Sequence, residues 1–280
     1  MYPLSLFSAV LLSLMLASTG ARAGEFRVMT FNIRYANPRD GLNVWPNRRD
    51  AAAATIAAQA DMAGLQEVLP AQRQDLAERL PEFGYVGVGR EPDDQGEGSP
   101  IFYRKERFTP LGTGTFWLAD TPEVPGTKAW GANLPRICTW ARFRDTKDGA
   151  VFYMFNTHLD HQSQEARARS IPLIRQRMEA RESKDPAFLT GDFNMHPENP
   201  AFAGIDLIST YQALGVSPEG TFHGFSEKVQ PGAIDFIFVE KNRWKVQSCT
   251  VLKTKYTATD GIERYVSDHF PVAAVLVPQP

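Results

Sequence analysis

Ala187-Phe188-Leu189-Thr190-Gly191-Asp192-Phe193-Asn194 is an apolar run that ends abruptly in Gly-Asp-x-Asn. It reads as a buried strand that delivers two polar groups. In an extended chain side chains alternate between faces, so Asp192 and Asn194 leave the strand end on one side while Phe193 turns back to the core. A carboxylate can orient or deprotonate a water, and an amide can donate to a phosphate oxygen, so the pair suits attack on phosphorus. Gly, Asp and Asn are also ordinary turn residues, and this stretch alone leaves a plain turn open.

Polar groups crowd other apolar β-like segments in the same way. Phe26 to Ile33 alternates and presents Asn32 at its end; Met62 to Val68 carries Glu67 near its end. A carboxylate on a buried strand needs a partner, either a metal ion or a salt bridge. Ala150 to Thr157 is strongly β-forming and runs into Asn156-Thr157-His158-Leu159-Asp160-His161, where alternation puts His158 and Asp160 on one face. Ala233 to Val239 is a strand interrupted by Asp235, and Ser267-Asp268-His269 precedes the last strand, which runs to Val277.

Between these segments lie helices at Arg48–Ala60, Ala71–Leu80 and Gln164–Arg181, with short helices from the end of the 187 strand to about Leu214. Pro172 either kinks the third helix or makes it restart with Ser170 as cap, because an interior proline costs about 3 kcal/mol. Further strands are expected at Tyr85–Gly89, Ile101–Tyr103, Phe108–Leu118, Ile137–Phe143 and Trp244–Leu252, with a solvated loop at Glu91–Ser99 and a polar loop after Leu252. The Pro- and Gly-rich insertion Ala119–Pro135 contains Trp130 and is followed by Arg136; substrate grip and core packing both remain open for Trp130.

The chain has 280 residues and a formal net charge of -2. Its length fits one large domain, and the charge shows no global basic surplus of the kind a sequence-independent duplex binder uses. Leu4 to Leu16 is apolar and is followed by Ala21-Arg22-Ala23, a signal-peptidase pattern, although Met1-Tyr2-Pro3 carries no Lys or Arg. Residues 1–23 are therefore expected to be a signal peptide and 24–280 the mature domain, secreted or periplasmic, with no stable membrane span. The two cysteines, Cys138 and Cys249, are too few for a disulfide scaffold or a thiolate metal site, and whether they pair is open.

Asn32, Glu67, His158, Asp160, Asp192, Asn194, Asp235, Asp268 and His269 lie at or near ends of apolar β segments, and in a packed α/β domain such ends converge on one rim. An oxygen-rich set with few His and no Cys suits a hard ion, Mg²⁺ or Mn²⁺. At this point the chain resembles the endonuclease/exonuclease/phosphatase superfamily. The motifs are Thr30-Phe31-Asn32, Leu65-Gln66-Glu67, Asn156-Thr157-His158-Leu159, Gly191-Asp192-Phe193-Asn194, Ile234-Asp235-Phe236 and Ser267-Asp268-His269. Each is weak alone; their order and spread are specific. Gly114-Thr115-Phe116-Trp117-Leu118 and the run from Asn156 to His161 look most like the secreted metal-dependent hydrolase branch.

The resemblance implies a four-layer α/β/β/α sandwich of two mixed sheets flanked by helices. It implies that Glu67 binds a divalent metal with Asn32 and Asp268 in support, that Asp192 activates the attacking water, and that Asn194 and His158 hold the phosphate. It also implies that Asp235 orients His269, which stabilises charge growing on the scissile phosphate. The expected activity is metal-dependent phosphoester hydrolysis by a monomer, on a mono- or diester. A nuclease needs basic, groove-inserting loops and a polybasic or membrane-seeking substrate site needs its own clusters; none stands out. A catalytically silent binding protein on the same fold would lose several of these groups, and none is missing.

Overall fold

In the computed structural model, which describes residues 24–279, the run at 187 is a central strand. The expected signal peptide lies outside the described residues. In chain order the elements are β1 (Phe26–Asn32), α1 (Trp45–Gln59), β2 (Met62–Gln66), α2 (Pro70–Arg79), β3 (Phe83–Val86), β4 (Gly89–Glu91), β5 (Gln95–Gly98), β6 (Ile101–Arg104), β7 (Phe108–Trp117) and β8 (Ile137–Asp145). They continue with β9 (Val151–His158), α3 (Gln164–Glu179), β10 (Ala187–Asp192), β11 (Ile208–Ser209), α4 (Thr210–Leu214), β12 (Asp235–Val239), β13 (Trp244–Val251), β14 (Lys255–Thr257), β15 (Glu263–Tyr265) and β16 (Val272–Pro278).

Two six-stranded sheets carry the fold, in the orders β13-β16-β1-β2-β6-β3 and β11-β12-β10-β9-β8-β7. Each has one parallel pair at its centre, β1 with β2 and β9 with β10, and antiparallel neighbours outside, so both are mixed. The sheets pack face to face. Phe26 of β1 stacks on Phe152 of β9 with ring centroids 5.0 Å apart, and Phe188 of β10 meets Trp244 of β13 edge-on at 5.2 Å. A second cluster joins Met29, Phe31 and Leu65 to Ile56 of α1 and Leu76 of α2 on the outer face of the first sheet. Ile171, Ile174 and Met178 of α3 cover the second. This is the expected four-layer α/β/β/α sandwich.

A polar stitch holds the two inner faces in register just beneath the rim. Gln66 Nε2 donates to Thr30 Oγ1 at 3.1 Å and to Asn156 Oδ1 at 2.8 Å, and Thr190 Oγ1 donates to the same Asn156 oxygen at 3.0 Å. Asn156 Nδ2 in turn donates to the Leu65 carbonyl at 2.8 Å. All four side chains are fully buried, so each bond is made in a low-dielectric setting where an unmade one is costly. Gly64 permits this approach, since any Cβ there would collide with Thr190 Oγ1 and Asn156 Oδ1.

Several local expectations change. Helix α3 runs unbroken through Pro172, capped by Ser163, whose Oγ accepts from Ala166 N at 3.1 Å, while Ser170 donates back to the Ala166 carbonyl. Pro172 is tolerated because it faces solvent, where water can meet the carbonyl it leaves free. The segment expected as a solvated loop from Glu91 to Ser99 contains β5, which pairs with β4, and Glu97 forms an ion pair with Arg90 at 2.8 Å. The strand expected over Tyr85–Gly89 ends at Val86, because Gly87 takes φ 113. The polar loop after Leu252 holds the β14–β15 hairpin. Cys138 and Cys249 are free thiols on strands of different sheets. No helix among the described residues is long and apolar enough to cross a membrane.

Candidate active site

The parallel registers decide which side chains meet. Asn32 is opposite Gln66 in one sheet, and in the other Asp192 is flanked by His158 on β9 and Asp235 on β12. Because both parallel pairs end on the same rim, their terminal residues face each other across the gap between sheets. Asn32 bridges it: its Nδ2 donates to Glu67 Oε1 at 3.1 Å and to Asp192 Oδ2 at 3.0 Å. Its Oδ1 accepts from Arg34 N at 2.9 Å. Glu67 sits just past β2 at φ 62, a left-handed conformation that non-glycine residues rarely adopt, and its Oε2 accepts from Tyr35 N at 3.0 Å. No Lys or Arg is paired with Glu67 among the described residues.

Asp192 and Asp235 are neighbours by strand pairing and almost fully buried, an arrangement unfavourable for two charges. His269 relieves it. Its Nδ1 lies 2.9 Å from Asp235 Oδ2 and its Nε2 lies 3.7 Å from Asp192 Oδ2. Burial pulls the His269 pKa down, but the Asp235 and Asp192 carboxylates outweigh it and hold the ring well above its ordinary value. Burial, then Asp235, pushes Asp192 up to about 7, although His269 and the Asn32 hydrogen bond oppose the rise. Asp235 Oδ1 is buried without a hydrogen-bond partner among the described residues.

His158 closes the ring of contacts. Its Nε2 lies 3.1 Å from Asn194 Nδ2 and 3.4 Å from Asp192 Oδ2. Burial first, then Arg136, pushes its pKa well down, so the ring is neutral and Nε2 accepts from the Asn194 amide. Asn194 reaches this position through φ 49 rather than by strand alternation, since β10 ends at Asp192; Phe193 is fully buried against Phe238, as expected. The second Asn194 amide hydrogen goes to the Leu159 carbonyl at 3.0 Å, so both are engaged within the protein. Asp268 is buried near the rim, 3.7 Å from Arg34 Nε, and burial raises its pKa while His269 opposes and Glu67 adds to the rise.

Four other polar residues take structural partners. Because β9 stops at His158, alternation does not carry on to Asp160, which accepts from the backbone of Gln162 and Ser163 and pairs with Arg136 at 3.3 Å. His161 is exposed, with Nδ1 2.9 Å from Arg136. Trp130 packs on the main core, donates to Asp120 and lies under the Arg169 guanidinium at 4.9 Å. Two arginines that sequence reading does not single out matter more. Arg34 follows Asn32 and reaches both Asp40 and Asp268, and fully buried Arg48 donates to the carbonyls of Ile33, Arg34 and Asn43 beneath it. An arginine at the start of an alanine-rich helix carries no sequence signal for such a role.

The donor set can be tested against a divalent cation. Glu67, Asp192, Asp235 and Asp268 bring oxygen donors to one rim, and in two of them, Asp192 and Asp268, burial raises the pKa and a neighbouring carboxylate adds to the rise. Such a site fits a hard ion. Asp192, Asp235 and His269 also place one ligand atom each within 4.8 Å of one another, although His269 Nδ1 is already bonded to Asp235.

Known proteins share this architecture. A structure of an endonuclease/exonuclease/phosphatase family protein from Bacteroides thetaiotaomicron is 35% identical, with a TM-score of 0.84, over 90% of this chain and 97% of that one. A mannosyl-6-phosphatase from the same organism is also 35% identical, with a TM-score of 0.84, over 90% and 99%. The human Nocturnin catalytic domain, at 20% identity and a TM-score of 0.68 over 91% and 94%, shares the fold. No curated protein sequence matches the chain. The profile described as Endonuclease/Exonuclease/phosphatase family matches residues 29–269, which spans every motif from β1 to His269, and the chain belongs to that family.

Proposed function

We propose that this chain is an exported, divalent-metal-dependent phosphoesterase of the secreted branch of its family, and that it removes a terminal phosphate from a sugar phosphate. The observation that carries the reading is the unbroken polar chain Glu67–Asn32–Asp192–His269–Asp235 across the rim between the sheets, with His158 and Asn194 beside it. The sugar phosphate rests on the 35% identity to a mannosyl-6-phosphatase. Glu67 would hold the cation, with Asp268 in support; when bound, the ion draws negative charge from phosphoryl oxygens.

The chain's own groups supply the remaining steps. Asp192, raised to about 7, takes a proton from the attacking water near neutral pH. Asn32 holds that carboxylate and Glu67 at a fixed separation by donating to both. Charged His269, steadied by Asp235, donates from Nε2 to an oxygen of the phosphate as charge grows there. Asn194 donates into His158 Nε2, which leaves the His158 proton on Nδ1, and so positions His158 rather than touching phosphate itself.

Purified mature chain should be assayed with Mg²⁺ or Mn²⁺ against mannose 6-phosphate, bis-p-nitrophenyl phosphate and single-stranded DNA. Metal-dependent phosphate release from mannose 6-phosphate, above any diester cleavage, is expected. Preference for DNA would make the chain a nuclease, and inactivity on all three would favour a silent binding protein. N-terminal sequencing after fractionation tests export; an intact Met1 on cytoplasmic protein would refute it.

A further inference from the structure

The outer face of the second sheet carries a cavity of about 420 Å³, on the side of β8 and β9 turned away from the first sheet and bounded by α3. Its aromatic floor is half-buried Trp140, with Tyr153 and Phe116 on neighbouring strands buried beneath the Arg142, Arg181 and Arg177 guanidiniums; the Trp140 and Tyr153 centroids are 6.1 Å apart. The floor is open because the edge strand β7 places Gly112 and Gly114 there, opposite Arg142 and Trp140. A Cβ at Gly114 would come within 2.7 Å of Trp140 Nε1, and one at Gly112 within 3.8 Å of the same ring. Gly114 belongs to the Gly-Thr-Phe-Trp-Leu motif, which the catalytic chain does not use.

Trp140 also differs from the other tryptophans. Trp45, Trp117, Trp130 and Trp244 each donate the indole N–H to a protein acceptor, whereas Trp140 has no such bond among the described residues. It is half-buried and lines the cavity, and its Nε1 lies beside Gly114 on the cavity floor. The rim decides the class of ligand. Arg142, Arg177 and Arg181 are each matched by a carboxylate, Asp185 at 2.7 Å, Glu123 at 2.6 Å and Glu240 at 2.7 Å. Glu182 adds a carboxylate with no ion pair among the described residues. An anion would find no free positive charge here. A neutral polyhydroxylated ring fits: an apolar face for the aromatic floor, and hydroxyls for the indole N–H and the planar charged groups around it.

We propose that this cavity is a second, non-catalytic site for a neutral carbohydrate, with Trp140 as its stacking platform. It goes beyond the phosphoesterase reading and is measured without turnover, so either can fail alone. Indole ¹⁵N–¹H spectra of the chain resolve the tryptophans and should be recorded during titration with mannotriose, cellotriose and xylotriose into the millimolar range, with sodium sulfate and AMP as anionic controls. At least one trisaccharide should shift the Trp140 resonance while the other four stay in place. Gly112→Val fills the floor at ordinary contact distance and should weaken that binding by roughly tenfold or more, leaving phosphate release unchanged. The selective shift in the unaltered chain tests the site even if the variant folds poorly. No Trp140 response to any trisaccharide, an equal response in Gly112→Val, or a response confined to sulfate or AMP would overturn the proposal.

Discussion

Asp235 acts on two titrations at once, because it neighbours Asp192 through strand pairing and bonds His269 through its side chain. After burial, it is the main cause that raises Asp192, and it is the foremost charge that raises His269. Removing a negative charge lowers both pKa values. In Asp235→Asn both limbs of the kcat/KM profile, read as apparent values of the coupled pair, should therefore move to lower pH, and the maximum should fall by ~10²–10⁴-fold. A profile of unchanged position, or limbs that move apart, would show that Asp192 and His269 are not the titrating pair. His223 gives an independent test of burial. Both its ring nitrogens are buried without partners among the described residues, the ring stacks on Phe270 at 4.3 Å, and burial, then the nearby His269 charge, pushes its pKa down to about 4. The unfolded chain binds this proton at an ordinary histidine pKa of about 6.5. Stability linked to His223 is thus complete above pH 6.5 and is lost as pH falls toward 4. His223→Phe, which keeps the ring and removes the unpartnered nitrogens, should melt at or above the parent at pH 7.5 and further above it at pH 5; a gap of the same size at both values would refute the account.

The elements show why some of this was legible in the chain and some was not. Strands β1, β2, β9, β10 and β12 are apolar runs of five to eight residues in which a polar residue stands out at or just past an end, so a pattern reading finds Asn32, Glu67, His158, Asp192 and Asp235. Nothing in a linear pattern reveals which strand pairs with which, and it is the register that sets Asp192 beside Asp235. Alternation placed Phe193 correctly but could not foresee the left-handed turn at Asn194, nor that β9 stops before Asp160. The β4–β5 and β14–β15 hairpins are three or four residues a side and polar, too short for periodicity to register. Helix α1 hides the largest surprise. Its Arg48 is fully buried, its pKa pushed down to about 10 by burial, and it holds the loop after β1 through the carbonyls of Ile33, Arg34 and Asn43. Arg48→Met fills much of the space but leaves those acceptors without a donor, at about 1–3 kcal/mol for each that water cannot reach. A loss of roughly 3 kcal/mol in urea unfolding is expected, with proteolytic nicking appearing first between residues 33 and 43. A loss under about 1 kcal/mol would mean that this loop does not depend on the arginine.

At the scale of the molecule, the sandwich brings strand ends from two sheets to one rim and thereby concentrates carboxylates where there is little water. The polar stitch beneath them fixes the spacing, so mutual repulsion cannot be relieved by letting the sheets slide. This predicts that one substitution has a small effect without a cation and a large one with it. Burial is the main cause that raises the Asp268 pKa and His269 opposes it, while Glu67 adds to the rise, a sign of repulsion between the two carboxylates. Glu67→Gln removes that charge, but its single amide oxygen can accept from only one of the two donors that Glu67 serves, Asn32 Nδ2 and Tyr35 N, so relief of repulsion and loss of one hydrogen bond offset each other and metal-free stability should stay within about 1 kcal/mol of the parent. With cation present the variant should fall well behind the parent. A ligand at about 100 times its Kd stabilises the folded state by about 2.7 kcal/mol, which for a chain of this size corresponds to a rise in Tm of roughly 5–10 °C. The parent chain should show that rise between EDTA and saturating Mg²⁺ or Mn²⁺, and Glu67→Gln should lose most of it. If Glu67→Gln keeps the full rise while Asp235→Asn loses it, the cation is held by Asp192, Asp235 and His269 instead. If the parent itself shows no rise with either ion, the crowded carboxylates are not a cation site, and protonation of Asp192 is what relieves them.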